Sequence, residues 1–98
     1  MGKIARHYRM IARPGEAPAL GDALAALAQA VRPLPGCLGT ELLQDIEVPE
    51  RFAFTEWWES VAAHKAAGPS LPKAALAPVM AALAGPPEGS YLAAPGDD

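Results

Sequence analysis

The stretch Phe52-Ala53-Phe54-Thr55-Glu56-Trp57-Trp58-Glu59-Ser60, with His64 shortly after it, constrains the fold more than any other part of the chain. Both phenylalanines and both tryptophans fall inside it. It reads as a strand running into a helix. Strand side chains alternate with period two, so Phe52, Phe54, Glu56 and Trp58 share one face and Trp57 points the other way. A carboxylate in line with three aromatics on a core-facing side is either paired or functional, because an unpaired charge out of water is costly.

The rest of the chain divides around this stretch at prolines and glycines. A first strand spans 3–13 and ends at Pro14-Gly15. Ile4, Tyr8 and Met10 lie on one of its faces with Arg6 between them, and His7, Arg9 and Ile11 lie on the other. Neither face is cleanly apolar, which leaves the buried side open. Over 16–32, Leu20, Leu24, Leu27 and Val31 recur every three or four residues and predict an amphipathic helix. Pro18 suits its first turn, and Pro33 and Pro35 stop it. A second strand follows from Gly36 to about Val48, with Leu38, Leu42 and Ile46 alternating and Leu43 out of pattern. Pro49-Glu50 turns it back to pair with the central strand as an antiparallel hairpin.

Ser60 is the expected N-cap of a short helix over 61–67, broken by Gly68-Pro69. Another helix starts at Ser70 or Pro72, with Leu76, Val79, Met80 and Leu83 as its apolar side and Pro78 expected to kink or restart it. Gly85-Pro86-Pro87 stops that helix, and 90–93 forms a last strand. One domain over 1–94 and a flexible tail over 95–98 result. The order strand, helix, strand, strand, helix, strand is the ferredoxin-like βαββαβ pattern, an α+β sandwich with helices on one face of a sheet. A chain of 98 residues has a small core, so a second copy covering the bare sheet face is expected.

Composition excludes several functions. A net charge of -3 and a pI near 5.3 do not provide the basic stripe of a nucleic-acid surface. No apolar run reaches transmembrane length; the alanine-rich 74–84 is interrupted by Pro78. Met1-Gly2-Lys3-Ile4-Ala5-Arg6 leads into the strand pattern without the apolar core of a signal peptide or the serine or threonine of a myristoylation signal. A cytoplasmic protein with no membrane or nucleic-acid partner is expected. Cys37 is the sole cysteine, which rules out an intrachain disulfide and a cysteine-based metal cluster. Two histidines far apart, with no clear third ligand, are weak evidence for a metal site, and none is expected.

Three short motifs follow one another in order: Arg13-Pro14-Gly15, then Pro35-Gly36-Cys37-Leu38-Gly39, then Glu56-x-Trp58-Glu59-Ser60 with Ala63-His64 behind it. Together with the topology, over about 4–92, they make the chain resemble the antibiotic biosynthesis monooxygenase family of dimeric α+β barrel proteins. The resemblance implies a homodimer whose sheets pack face to face, and a ligand cavity in each subunit between sheet and helices. It implies a cofactor-independent monooxygenase acting on a small hydroxylated aromatic or quinol. The chain departs from the family in a shorter interval from Trp58 to His64, and in Gly68-Pro69-Ser70 where relatives often carry a second histidine or an aromatic. An altered cavity end is expected there. The haem-degrading branch is disfavoured, because strand one has no asparagine and no histidine follows His64.

The candidate catalytic residues are His64, Glu56 and Trp58; the candidate substrate-binding residues are His7, Tyr8, Phe52 and Phe54. Trp58 either stacks on a flat ring and donates its indole N–H or packs as core. Glu56 is either a base toward a phenol or an ion-pair partner of Arg6, Arg9 or Arg51. His64 is either a general base or a packed helix residue. His7 and Tyr8 lie on opposite faces of strand one, so at most one faces the cavity. Trp57 is expected at the sheet-to-sheet dimer contact. The alternative to an enzyme is a non-catalytic barrel that binds a small ligand or serves as an accessory protein.

Overall fold

Strand β3 (Arg51–Trp58) alternates strictly: Phe52, Phe54, Glu56 and Trp58 are buried, and the residues between them are half-buried or exposed. A computed structural model describes residues 3–96, and every element below is placed around this strand. Met1, Gly2 and the last two tail residues, Asp97 and Asp98, lie outside the described residues. The other elements are β1 (Ile4–Ile11), α1 (Ala17–Val31), β2 (Cys37–Gln44), α2 (Val61–Ala67), a 3-10 turn (Gly68–Ser70), α3 (Lys73–Ala82) and β4 (Glu88–Leu92). The sheet is antiparallel in the order β2-β3-β1-β4. The ferredoxin-like α+β sandwich is therefore the fold, with β3 threaded between β1 and β2 and the helices on one face.

The register of β1 against β3 settles which face of β1 is inward. Met10 lies opposite Phe52, Tyr8 opposite Phe54, and Arg6 opposite Glu56. Met10 is buried and Tyr8 packs against the core, whereas His7, Arg9 and Ile11 occupy the outer face. Helix α1 lays Leu20, Leu24, Leu27 and Val31 on the sheet, each at most 4% exposed. Burying each of these side chains is worth about 1.5–3 kcal/mol, and the alanines between them let the helix sit close.

Several local expectations are corrected. Strand β2 ends at Gln44 instead of near Val48. Asp45 turns the chain there: its Oδ1 accepts from the amides of Glu47 (2.8 Å) and Val48 (2.9 Å), an alternative to ladder bonding. Ile46 is thus 96% exposed and no part of the strand's inner face. A register shift between Cys37 and Gly39 turns Leu38 outward, so Leu42 is the inward leucine of that strand. Helix α3 continues through Pro78, which gives up its amide bond to the Ala74 carbonyl without ending the helix. Only Val79 and Leu83 of its expected apolar side are buried; Leu76 and Met80 are 40% and 54% exposed. No helix among the described residues is long and apolar enough to cross a membrane.

Replacing Leu24, which is fully buried, separates core from turn. Leu24→Ala is expected to lower the unfolding free energy by about 2–5 kcal/mol. Ile46→Ala, at a 96% exposed position, is expected to change it by less than about 0.5 kcal/mol. Urea unfolding of the two variants checks both.

Candidate active site

Two devices place α2 against the end of β3. Ser60 adopts an extended backbone and its Oγ accepts the Ala63 amide at 3.0 Å, capping the helix as expected. Gly36, at φ +88°, lets the start of β2 pass beneath: a Cβ there would stand 2.7 Å from the Ala63 Cβ. The Glu59 amide also donates to the Gly36 carbonyl at 2.9 Å. His64, one residue beyond Ala63, is thereby carried over Trp58, with ring centroids 5.3 Å apart in an edge-on arrangement.

Below His64 lies a cavity of about 230 Å³ between the sheet and the helices. Tyr8, Glu56, Trp58 and His64 line it on one side. Leu27, Val31, Leu71 and Val79 contribute an apolar wall, and the exposed Leu76 and Met80 stand at its rim. Gly68 lines the end where relatives are expected to carry larger side chains.

The polar atoms of this cavity form a chain. The Trp58 indole N–H donates to Glu56 Oε1 at 3.0 Å. His64 Nε2 lies 3.7 Å from the same oxygen, and His64 Nδ1 is 2.7 Å from the Tyr91 hydroxyl. No arginine pairs with Glu56 among the described residues: Arg9 lies 3.9 Å from Glu88 and Arg51 lies 3.4 Å from Asp45. Arg6, across the ladder from Glu56, places its guanidinium 4.9 Å over the Tyr8 ring and 4.4 Å over the Tyr91 ring. Its Nε is buried without a hydrogen-bond partner.

Burial sets the protonation of these groups. It pushes the Glu56 carboxyl above its ordinary value, outweighing the Trp58 hydrogen bond and the Arg6 charge that favour the anion. It pushes His64 below its ordinary value, and the charges of Arg6 and Lys65 act in the same direction. The imidazole is therefore neutral at neutral pH. Its 3.7 Å approach to Glu56 is within ion-pair range by distance, but it joins a carboxyl to an uncharged ring. A neutral imidazole and a carboxylate with a raised proton affinity are both competent to accept a proton.

The structure brings together Glu56, Trp58, His64 and Tyr8. It places His7 on the opposite face of the sheet, where Nδ1 is 3.0 Å from the Thr55 hydroxyl. Phe52 and Phe54 are buried in the core beneath the cavity and do not line it. Tyr91 is the site residue that sequence reasoning missed, because its place depends on the β1–β4 register. Arg6 carried a signal, a cation on the same face as Tyr8 and Met10.

A four-stranded antiparallel sheet carries helices on one face, and a carboxylate, an imidazole and an indole line a cavity between the two layers. The family model for antibiotic biosynthesis monooxygenase matches residues 4–70, and the chain belongs to that family. A solved structure from Chloroflexus aurantiacus, named as a candidate antibiotic biosynthesis monooxygenase, is 30% identical, with a TM-score of 0.79 over 99% of this chain and 97% of that one. A similarly named structure from Bordetella bronchiseptica is 22% identical, with a TM-score of 0.85 over 96% and 98% of the two chains. SnoaB, a cofactor-independent oxygenase from Streptomyces nogalater, is 15% identical, with a TM-score of 0.84 over 99% and 97%. These last two likenesses show the fold. No protein of curated function matches the sequence.

The buried carboxyl makes a stability prediction. Its folded-state proton affinity is raised, so ionising it destabilises the fold; the effect is absent below pH 4.5, the unfolded group's value, and is complete above the folded one. Glu56→Gln keeps an oxygen for the Trp58 N–H without the charge. The variant is expected to melt a few degrees above the parent chain at neutral pH and level with it in acid. Thermal unfolding followed across that range checks it.

Proposed function

We propose that this chain is a cofactor-independent monooxygenase of a small hydroxylated aromatic or quinol. The observation that carries the reading is the convergence of Glu56, His64, Trp58 and Tyr8 on one largely apolar cavity of about 230 Å³. A cavity of about 150 Å³ already holds benzene, so this one has room for a substituted ring. The apolar wall takes the ring, and the carboxyl and imidazole meet its hydroxyl. Glu56 or His64 removes the hydroxyl proton, and the resulting anion is electron-rich enough to react with oxygen. For a quinol, one oxygen atom enters the ring, the ring is oxidised to a hydroxyquinone, and the second oxygen atom leaves as water with two hydrogens of the substrate. The substrate supplies all the electrons. Trp58 holds Glu56 in place through its N–H and helps exclude water.

The chain is further proposed to act as a homodimer. Ile11, Leu43 and Leu92 are each at least 50% exposed on the outer face of the sheet. Trp57 and His7 stand on the same face, which a second sheet would cover. Trp57→Glu is expected to dissociate the dimer, read by sedimentation.

The apolar wall also favours a second reading, a non-catalytic small-ligand binder or accessory protein. The test for both is oxygen uptake by metal-stripped protein with a panel of quinols and polyphenols. Turnover is expected to rise with pH as the base loses its proton, and the double change Glu56→Gln with His64→Ala is expected to cut kcat by about a hundredfold or more. Uptake unaffected by the double change defeats the mechanism. Binding without uptake selects the second reading.

A further inference from the structure

Tyr91 has no part in the proton abstraction described above, yet its hydroxyl bonds the far side of the imidazole that lines the cavity. Glu56 is 5% exposed, His64 is half-buried, and Tyr91 is 37% exposed. The three groups therefore lead outward, from the cavity to the surface. Glu56 Oε1 lies 3.7 Å from His64 Nε2, and His64 Nδ1 lies 2.7 Å from Tyr91 Oη. We propose that Glu56, His64 and Tyr91 form a proton relay that carries the substrate's proton from the cavity floor to solvent, a role that rests on the oxygenase reading.

The relay needs a neutral imidazole with Nδ1–H donating to Tyr91 Oη and the Nε2 lone pair toward Glu56. After Glu56 takes the substrate proton, it passes that proton to Nε2. The Nδ1 proton moves to Tyr91 Oη, and the tyrosine's own proton leaves to water. One proton enters and one leaves; Glu56 is again a carboxylate, and the imidazole and the tyrosine end neutral. The 3.7 Å step is closed by a small rotation of the ring or by one bridging water. The same chain run backward returns a proton when the second oxygen atom becomes water, and this restores the tautomer.

The surroundings fit this use. The groups facing His64 are Glu56 from β3, Arg6 from β1, Tyr91 from β4 and Lys65 from its own helix. The two cations keep the imidazole from holding the proton it receives. Arg6 also positions Tyr91, with its guanidinium 4.4 Å over that ring. Gly89 makes this possible: a Cβ there would stand 2.5 Å from an Arg6 guanidinium nitrogen.

The test uses Tyr91→Phe, which keeps the ring under Arg6 and removes only the hydroxyl, in the full-length chain with melting temperature as a folding control. Nitrogen-15 NMR of the imidazoles follows the tautomer directly; the chain has two histidines, so His7→Gln assigns them. The His64 tautomer balance is expected to change in Tyr91→Phe and in Glu56→Gln. Oxygen uptake by Tyr91→Phe is expected to lose about tenfold in kcat with KM unchanged, and added imidazole is expected to restore it. Wild-type turnover in Tyr91→Phe, or His64 ring nitrogens indifferent to both changes, overturns the relay. No uptake by the parent chain overturns the oxygenase reading instead, and the NMR measurement alone then decides whether the three groups are coupled.

Discussion

The site depends on one carboxyl group held out of water. Glu56 occupies a position in β3 whose neighbours on the same face are Phe54 and Trp58, both at most 1% exposed. Desolvation opposes its charge, and no arginine pairs with it to repay that penalty among the described residues. What keeps it in place is directional: the Trp58 N–H fixes one oxygen, and the backbone ladder fixes the strand. The same environment lowers the proton affinity of His64. One act of burial therefore sets two neighbouring groups toward proton exchange, which a solvated pair would not achieve.

Positioning the imidazole is a separate problem, solved by small residues. His64 reaches the cavity because α2 begins at a capped serine and rests against a glycine. A side chain at Gly36 would push α2 away through Ala63, and His64 would move with it. The short interval between Trp58 and His64 is compatible with a cavity-lining histidine because only Glu59 separates the strand's end from the capping Ser60. Gly68 and Leu71 then line the end where a larger side chain would reduce the space.

Much of this was legible in the residues. The period-two run in β3 and the period-3.6 stripe in α1 both follow from one buried face, and both were realised with ends shifted by one or two residues. Side-chain chemistry that competes with the backbone was harder to read. Asp45 ended β2 by accepting two amides, although Ile46 and Val48 continued the apolar pattern. The inward face of β1 could not be chosen from β1 alone, because Arg6 on one face and His7 and Arg9 on the other spoil both. The choice comes from pairing with β3, where Met10 and Tyr8 meet Phe52 and Phe54.

Tyr91 shows why part of a site escapes sequence reasoning. It sits in a short edge strand that is exposed along its whole length, so no burial pattern marks its inward residues. Its position is inherited: β4 pairs with β1, Arg6 falls opposite Tyr91, and Tyr8 falls opposite Gly89. The missing side chain at Gly89 admits the guanidinium between two tyrosine rings, and that contact aims the Tyr91 hydroxyl at His64. A glycine two residues before a tyrosine carries little meaning by itself. Its effect depends on an arginine more than eighty residues earlier in the chain, through a register that exists only once the sheet has formed.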